Sequence, residues 1–150
     1  MESKLSKRLV DIADALPLKD GIRVLEIGCG PGALAREISR RIGKGYILAI
    51  DRSGKAIQQA ISGSQNEIET GILSYKQVAI EKFELEPNEK QFDIAIAVRV
   101  GALDGRHPEI EKHSLLNISK VLIKKGKLFI DGGNPLKEIS LDEYRKNAIH

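Results

Sequence analysis

The alternation of strand-like and helix-like segments along residues 20–133 predicts an α/β domain, a parallel sheet wound with helices on both faces. Three observations carry that prediction. Short, mostly apolar runs recur at Val24-Leu25-Glu26-Ile27, Tyr46-Ile47-Leu48-Ala49-Ile50 and Phe92-Asp93-Ile94-Ala95-Ile96-Ala97-Val98, and runs this continuous suit strands buried on both faces. Between them, apolar residues fall at helical spacing. The first run also ends in a glycine-rich turn, Gly28 to Gly32, with a helix directly behind it. That is how an open parallel sheet presents a ligand site.

Taken in order, Leu5, Leu9, Ile12 and Leu16 predict an amphipathic helix over 3–16, closed by Pro17. Lys19-Asp20-Gly21 turns the chain into the first strand, 22–27. The helix over 33–42 ends near Gly43 and Gly45, both suited to a C-cap. The second strand ends at Asp51, and Ser53 can cap a helix whose apolar face shows Ala56, Ile57, Ala60 and Ile61. Gly63 and Ser64 interrupt that helix, and Gly71 ends the helical turn that follows. A third strand over 74–80 leads through an acidic loop, 81–91, to the fourth strand, 92–98. Pro108 suits the first turn of a helix, and Leu115, Leu116, Ile118, Val121 and Leu122 give it a core-facing stripe. Lys124 and Lys125 fall in its expected last turn, where cations favour the helix dipole, and Gly126 caps it. Lys127 to Asp131 is the fifth strand. A polar turn, Gly132 to Pro135, leads to a last short helix around 140–148.

A chain of 150 residues is one domain with one core. Aliphatic side chains must supply that core, because aromatic residues make up 4% and tryptophan is absent. A net charge of +3, from 24 cationic and 21 acidic residues, selects no class of partner. No apolar run is long enough to span a membrane, and Met1-Glu2-Ser3-Lys4 is not followed by a signal-peptide core, so the expectation is a cytoplasmic protein. Cys29 has no partner for a disulfide, no cysteine-based metal site is expected, and a small side chain between glycines reads as packing rather than as a nucleophile.

The glycine turn admits two readings. Gly28-x-Gly30-x-x-Ala33, followed by Asp51, formally fits a dinucleotide-binding turn. Glu26, two residues before the first glycine, argues otherwise, since a carboxylate is a poor neighbour for a doubly charged pyrophosphate. It suits a ligand carrying an ammonium and a sulfonium. With Gly32 the pattern becomes Glu-x-Gly-x-Gly-x-Gly, and it resembles motif I of the class I S-adenosylmethionine-dependent methyltransferases. The resemblance extends to the order of elements over residues 20–133. It implies a Rossmann-like sheet of order 3-2-1-4-5. That family usually continues with a helix and a closing β-hairpin, for which only about seventeen residues remain, so the hairpin is expected to be missing. The fifth strand then lies at an edge, covered by the C-terminal helix or paired with a second chain in a homodimer.

The resemblance also implies roles for strand-end residues. Gly28, Gly30 and Gly32 let the methionine part of S-adenosylmethionine approach, and Glu26 holds its amino group directly or through water. Asp51 takes the ribose hydroxyls, a role for which a carboxylate has enough acceptors. Arg52 flanks the adenine, Ile80 and Glu81 contact it, and Val98 meets the cofactor from the end of the fourth strand. On the acceptor side, the loop Arg99 to His107 holds Arg99, Asp104, Arg106 and His107. Arg99 is expected to orient an acceptor at the cleft mouth and His107 to act as a base, while Asp104 and His107 also suit a turn and a helix cap. The Asn/Asp-Pro-Pro-Tyr sequence of the amino-methylating branches is absent at this point. With no room for a nucleic-acid recognition domain, the expectation is methylation of a small molecule, anionic in view of Arg99 and Arg106. The alternatives are a non-catalytic cofactor-binding module and an NAD(P)-binding oxidoreductase.

Overall fold

A computed structural model describes residues 5–103 and 105–147. The first helix, α1 (Lys7–Ala15), starts where the Ser6 hydroxyl accepts the Leu9 N–H at 3.3 Å, a cap of the kind that adds about 1 kcal/mol. Its end at Leu16, in extended backbone, follows from Pro17, which disfavours helical geometry in the residue before it. Strand β1 (Arg23–Ile27), helix α2 (Ala33–Ser39) and strand β2 (Tyr46–Asp51) follow as the sequence predicts, α2 closing a few residues early. Ser53 caps α3 (Gly54–Ser62) by accepting the Ala56 N–H at 3.2 Å. A short α4 (Gln65–Glu69) precedes β3 (Leu73–Gln77), β4 (Phe92–Ala97), α5 (Pro108–Val121), β5 (Leu122–Asp131), β6 (Leu136–Ile139) and α6 (Asp142–Asn147).

The sheet order is β3-β2-β1-β4-β5-β6, with β6 alone antiparallel. Alternation along the central strands builds a core on each face. Val24, Ile47, Ala49, Ile94 and Ile96 pack with Ile12, Leu34, Ile38 and Ile57 from α1, α2 and α3. Leu25, Ile27, Leu48, Ile50, Ala95 and Leu128 pack with Leu115 and Ile118 of α5. Aliphatic residues dominate both layers, and Phe83 and Phe92, on the α5 side, are the largest fully buried side chains.

Three expectations are corrected. The third strand stops at Gln77, and Ile80–Lys82 form a single 3-10 turn instead. Helix α5 ends at Val121, so Lys124 and Lys125 lie exposed on β5 and Gly126 is no helix cap. The physical reason is a bulge. Phe92 pairs with Leu122 but Ile94 pairs with Lys127, and a Cβ on Gly126 would sit 2.9 Å from the Leu122 Cβ and 3.1 Å from the Asp93 carbonyl oxygen. The Arg145 guanidinium of α6 donates to the Ile123 and Gly126 carbonyls, fastening this bulge.

The third correction concerns the edge. Residues Gly132 to Pro135 form the turn of a β-hairpin, after which Leu136–Ile139 pairs antiparallel with Leu128–Asp131. A closing strand is therefore present and β5 is not an edge, which removes the premise for a homodimer through it. Helix α6 packs on α5, and its Arg145 reaches the bulge of β5. The new edge strand carries Lys137 and Glu138 in a four-residue span, and such charges discourage further strand pairing. Among the described residues, no helix is long and apolar enough to cross a membrane, and no cluster of His, Cys, Asp or Glu is arranged to hold a metal ion.

Candidate cofactor and acceptor sites

The glycine turn is tied to the second strand by its own backbone. The N–H groups of Gly28 and Cys29 donate to the Ile50 carbonyl at 2.8 and 3.0 Å. Gly28, Gly30 and Gly32 all have positive φ, which a side chain would strain. Their surroundings differ. A Cβ on Gly28 would lie 2.7 Å from Val100 Cγ2, and one on Gly32 would lie 2.3 Å from the Tyr75 hydroxyl. At Gly30 it would meet nothing within 4 Å. Two glycines thus serve protein packing, while the middle one leaves backbone facing open space.

Beneath the turn, the Arg36 guanidinium donates to the Pro31 carbonyl at 2.9 Å and to Ser64 Oγ at 3.1 Å, and Ser64 and Tyr75 hydroxyls share a 2.8 Å bond. Burial pushes the Tyr75 hydroxyl up to about 12, so it stays neutral and bonded. Cys29 is buried, and burial likewise pushes its thiol up, which fits packing and not nucleophilic chemistry.

Asp51, at the end of β2, accepts the Gly30 N–H at 2.9 Å through Oδ2 and the Ser53 N–H at 2.9 Å through Oδ1. Each oxygen retains a further lone pair for a ligand hydroxyl. Glu26 is 2% exposed, and its Oε1 has no hydrogen-bond partner among the described residues. Burial, with the nearby Asp51 charge, raises its pKa to about 8, against a smaller opposing effect of Arg36. A buried carboxyl without a partner is costly unless something absent from the protein satisfies it, and a ligand ammonium would do so. The open backbone at Gly30, the orphaned Glu26 oxygen and the double-acceptor Asp51 fit a nucleoside carrying an amino acid.

Gly28, Asp51, Arg52, Ile80, Glu81, Arg99 and His107 all line one cavity of about 380 Å³ beyond the C-terminal strand ends. Arg52 and Glu81 form an ion pair at its lining, 3.7 Å apart. Glu26, Gly30, Gly32 and Val98 are not on its wall. Val98 is instead half-buried against the α1–α3 side of the core, and Val100, Gly101 and Ala102 take the lining position expected of it. Asp104 lies outside the described residues. His107 occupies the cap position of α5, yet its side chain makes no capping hydrogen bond.

Arg99 is the one non-glycine residue with positive φ (56°) among the described residues. Its N–H donates to Asp131 Oδ1 at 3.0 Å, and the other Asp131 oxygen is paired with the Arg8 guanidinium of α1. Arg99 and Val100 also line a second cavity, of about 550 Å³, which opens between β4, β5, β6 and the start of α5. Sequence reasoning missed Asp131, Arg8 and Lys137 here. Asp131 ends a strand as Asp51 does, a signal present in the sequence, whereas Lys137 needed the hairpin to be recognised.

The sequence matches the profile of the methyltransferase domain family over residues 18–148. Over 121 residues it is 31% identical to the mitochondrial ubiquinone biosynthesis O-methyltransferase of Dictyostelium discoideum, covering 77% of this chain and 36% of that protein. It is 33% identical over 87 residues to the ubiquinone biosynthesis O-methyltransferase of Alkalilimnicola ehrlichii, covering 57% of this chain and 33% of that one. The fold is similar to that of the Haemonchus contortus phosphoethanolamine N-methyltransferase 1, solved with phosphoethanolamine and S-adenosylhomocysteine, with a TM-score of 0.67, 18% identity, and coverage of 85% of this chain and 26% of that one. The chain spans about a third of the length of the curated relatives it matches. It belongs to the methyltransferase domain family, and its fold is that of the class I S-adenosylmethionine-dependent methyltransferases.

Proposed function

We propose that this chain binds S-adenosylmethionine along the glycine turn and transfers its methyl group to a small, anionic molecule bearing a hydroxyl. The observation that carries the cofactor half is the convergence of Asp51, the open backbone at Gly30 and the unpartnered Glu26 oxygen at adjacent strand ends. Two relatives named as O-methyltransferases support an oxygen acceptor. The anionic character rests on Arg99 and Arg106 beyond the end of β4.

When bound, the cofactor supplies a methyl group already activated on a sulfonium. The protein's own residues have to bind and align. Asp51 accepts from the ribose hydroxyls while held by two backbone N–H groups, Ile80 and Val100 offer apolar walls, and Arg52 and Glu81 close the outer rim. Glu26 meets the amino group, directly or through water. Alignment of an acceptor against this site supplies much of the rate. His107 is the base in this reading, taking a hydroxyl proton from its place on the wall of the first cavity. Release of S-adenosylhomocysteine from S-adenosylmethionine, followed over a panel of small hydroxylated acids, tests the reading. Turnover with at least one acid, lowered by Arg99→Ala without loss of S-adenosylhomocysteine affinity, is expected. Tight binding of NAD in place of S-adenosylhomocysteine would favour the oxidoreductase alternative.

A further inference from the structure

From the second cavity we infer the acceptor's shape and the residue that selects it: an amphipathic acid, its apolar body on the sheet and its acid group held by Lys137 of the β5–β6 hairpin. The inference rests on the methyltransferase reading for its meaning but on separate residues for its evidence.

The cavity has two kinds of wall. Its floor is the α5-facing side of the sheet, where Ala97, Ile130 and Ile139 lie on three neighbouring strands, with Leu103 opposite. Its rim carries Arg99, Arg106 and Lys137, with Glu111 and Asp131 as the acids among the described lining residues. Asp131 is already committed to the Arg99 N–H and the Arg8 guanidinium, so its charge is answered from outside the cavity. Lys137 is different. Strand alternation on β6 puts it on the same side as Ile139, which packs against the α5-side core, while Leu136 packs against the other. Its neighbour Glu138 falls on the opposite side and reaches Lys127 at 3.8 Å. No acid pairs with the Lys137 ammonium within 4 Å among the described residues. An apolar floor with cations at the rim selects a ligand that is apolar along its length and anionic at one end.

The geometry also orients that ligand. Arg99 and Val100 line both cavities, and Lys137 lies on β6, three strands away from β1. An acid anchored at Lys137 therefore directs its other end, carrying the hydroxyl, towards Arg99 and Val100, where the two cavities adjoin. At about 550 Å³ the cavity suits an aromatic or medium-chain acid rather than a polymer.

The test titrates 4-hydroxybenzoate and octanoate, each against its uncharged amide, into methyl-labelled protein with and without S-adenosylhomocysteine. Saturable shifts at Ala97, Leu103, Ile130 and Ile139 are expected with the acids, and binding about two- to fivefold weaker with the amides. Lys137→Ala should abolish that preference, Lys137→Arg should retain it, and Lys127→Ala should leave it unchanged. Equal binding of acid and amide, survival of the preference in Lys137→Ala, or no shift at these methyl groups with either acid would overturn the inference. Failure of S-adenosylhomocysteine to bind would overturn the methyltransferase reading by itself, since the second cavity reports through its own methyl signals.

Discussion

Asp131, the last residue of β5, accepts the backbone N–H of Arg99 just beyond the end of β4, at 3.0 Å. The bond holds a left-handed turn that a non-glycine residue rarely adopts, and that turn lines both cavities. The end of one strand thus fixes the exit of its neighbour.

Removing that acceptor should loosen the turn. Asp131→Ala is expected to lose about 1–3 kcal/mol in urea unfolding, since it leaves a strained N–H without its partner and Arg8 without its counter-ion. Asp131→Asn keeps an oxygen for the N–H and should lose less. Equal losses would show that the Arg8 pair, and not the turn, is what Asp131 stabilises.

The same geometry makes Arg99→Gly informative. Glycine adopts φ of 56° without penalty, so relief of strain should roughly offset the extra freedom of the unfolded chain, leaving stability within about 1 kcal/mol of the parent. Loss of the guanidinium should still lower turnover. A thermal unfolding curve alongside the activity assay separates the two effects.

Glu26 predicts how stability varies with pH. Its folded pKa is raised from 4.5 to about 8, so between those values the native protein holds a proton that the unfolded chain has lost. Stability therefore falls as pH rises through that window and levels off above it. Glu26→Gln removes the burden. The variant should match the parent near pH 5 and exceed it by about 3–4 kcal/mol near pH 9, in denaturant titrations without ligand. A parent protein more stable at pH 9 than at pH 5 relative to Glu26→Gln would mean that the carboxylate is satisfied inside the protein.

The glycines divide in the same way. Gly28→Ala drives a Cβ into Val100 and should destabilise the fold by about 2 kcal/mol or more. Gly30→Ala meets no protein atom and should lose only about 1 kcal/mol from its positive φ, yet weaken S-adenosylhomocysteine at least about tenfold by filling the space the ligand needs. Calorimetry on both variants checks this.

These contrasts show which parts of the molecule were legible in the sequence. The first, second and fourth strands and the glycine turn after β1 could be read because parallel strands buried on both faces leave continuous apolar runs, and because Glu26 to Gly32 is a compact local motif. The α5–β5 boundary was not legible. Leu122 and Ile123 continue an apolar stripe equally well as helix or strand, and the choice is made by Gly126 and the Phe92 bulge, a tertiary contact. Strand β6 was missed for a different reason. Its four residues carry two charges and bury only partly, so periodicity gives little, although the Gly132-Gly133-Asn134-Pro135 turn before it was a hairpin signal. With the hairpin unread, Lys137 and the second cavity had no place in the sequence reading. Asp51 could be put forward as a site residue because it ends a strand legible in the sequence, beside the glycine turn.

Asp51 also offers the most direct measurement: calorimetric titration of S-adenosylhomocysteine, and of NAD, into the parent protein and Asp51→Ala. The account predicts one S-adenosylhomocysteine per chain, no heat with NAD, and affinity about 30- to 150-fold weaker in the variant, the effect of losing charge-assisted bonds to two hydroxyls. Unfolding of the variant without ligand measures separately what the Gly30 and Ser53 bonds contribute to the turn. Unchanged S-adenosylhomocysteine affinity in Asp51→Ala, or binding of NAD alone, would contradict it.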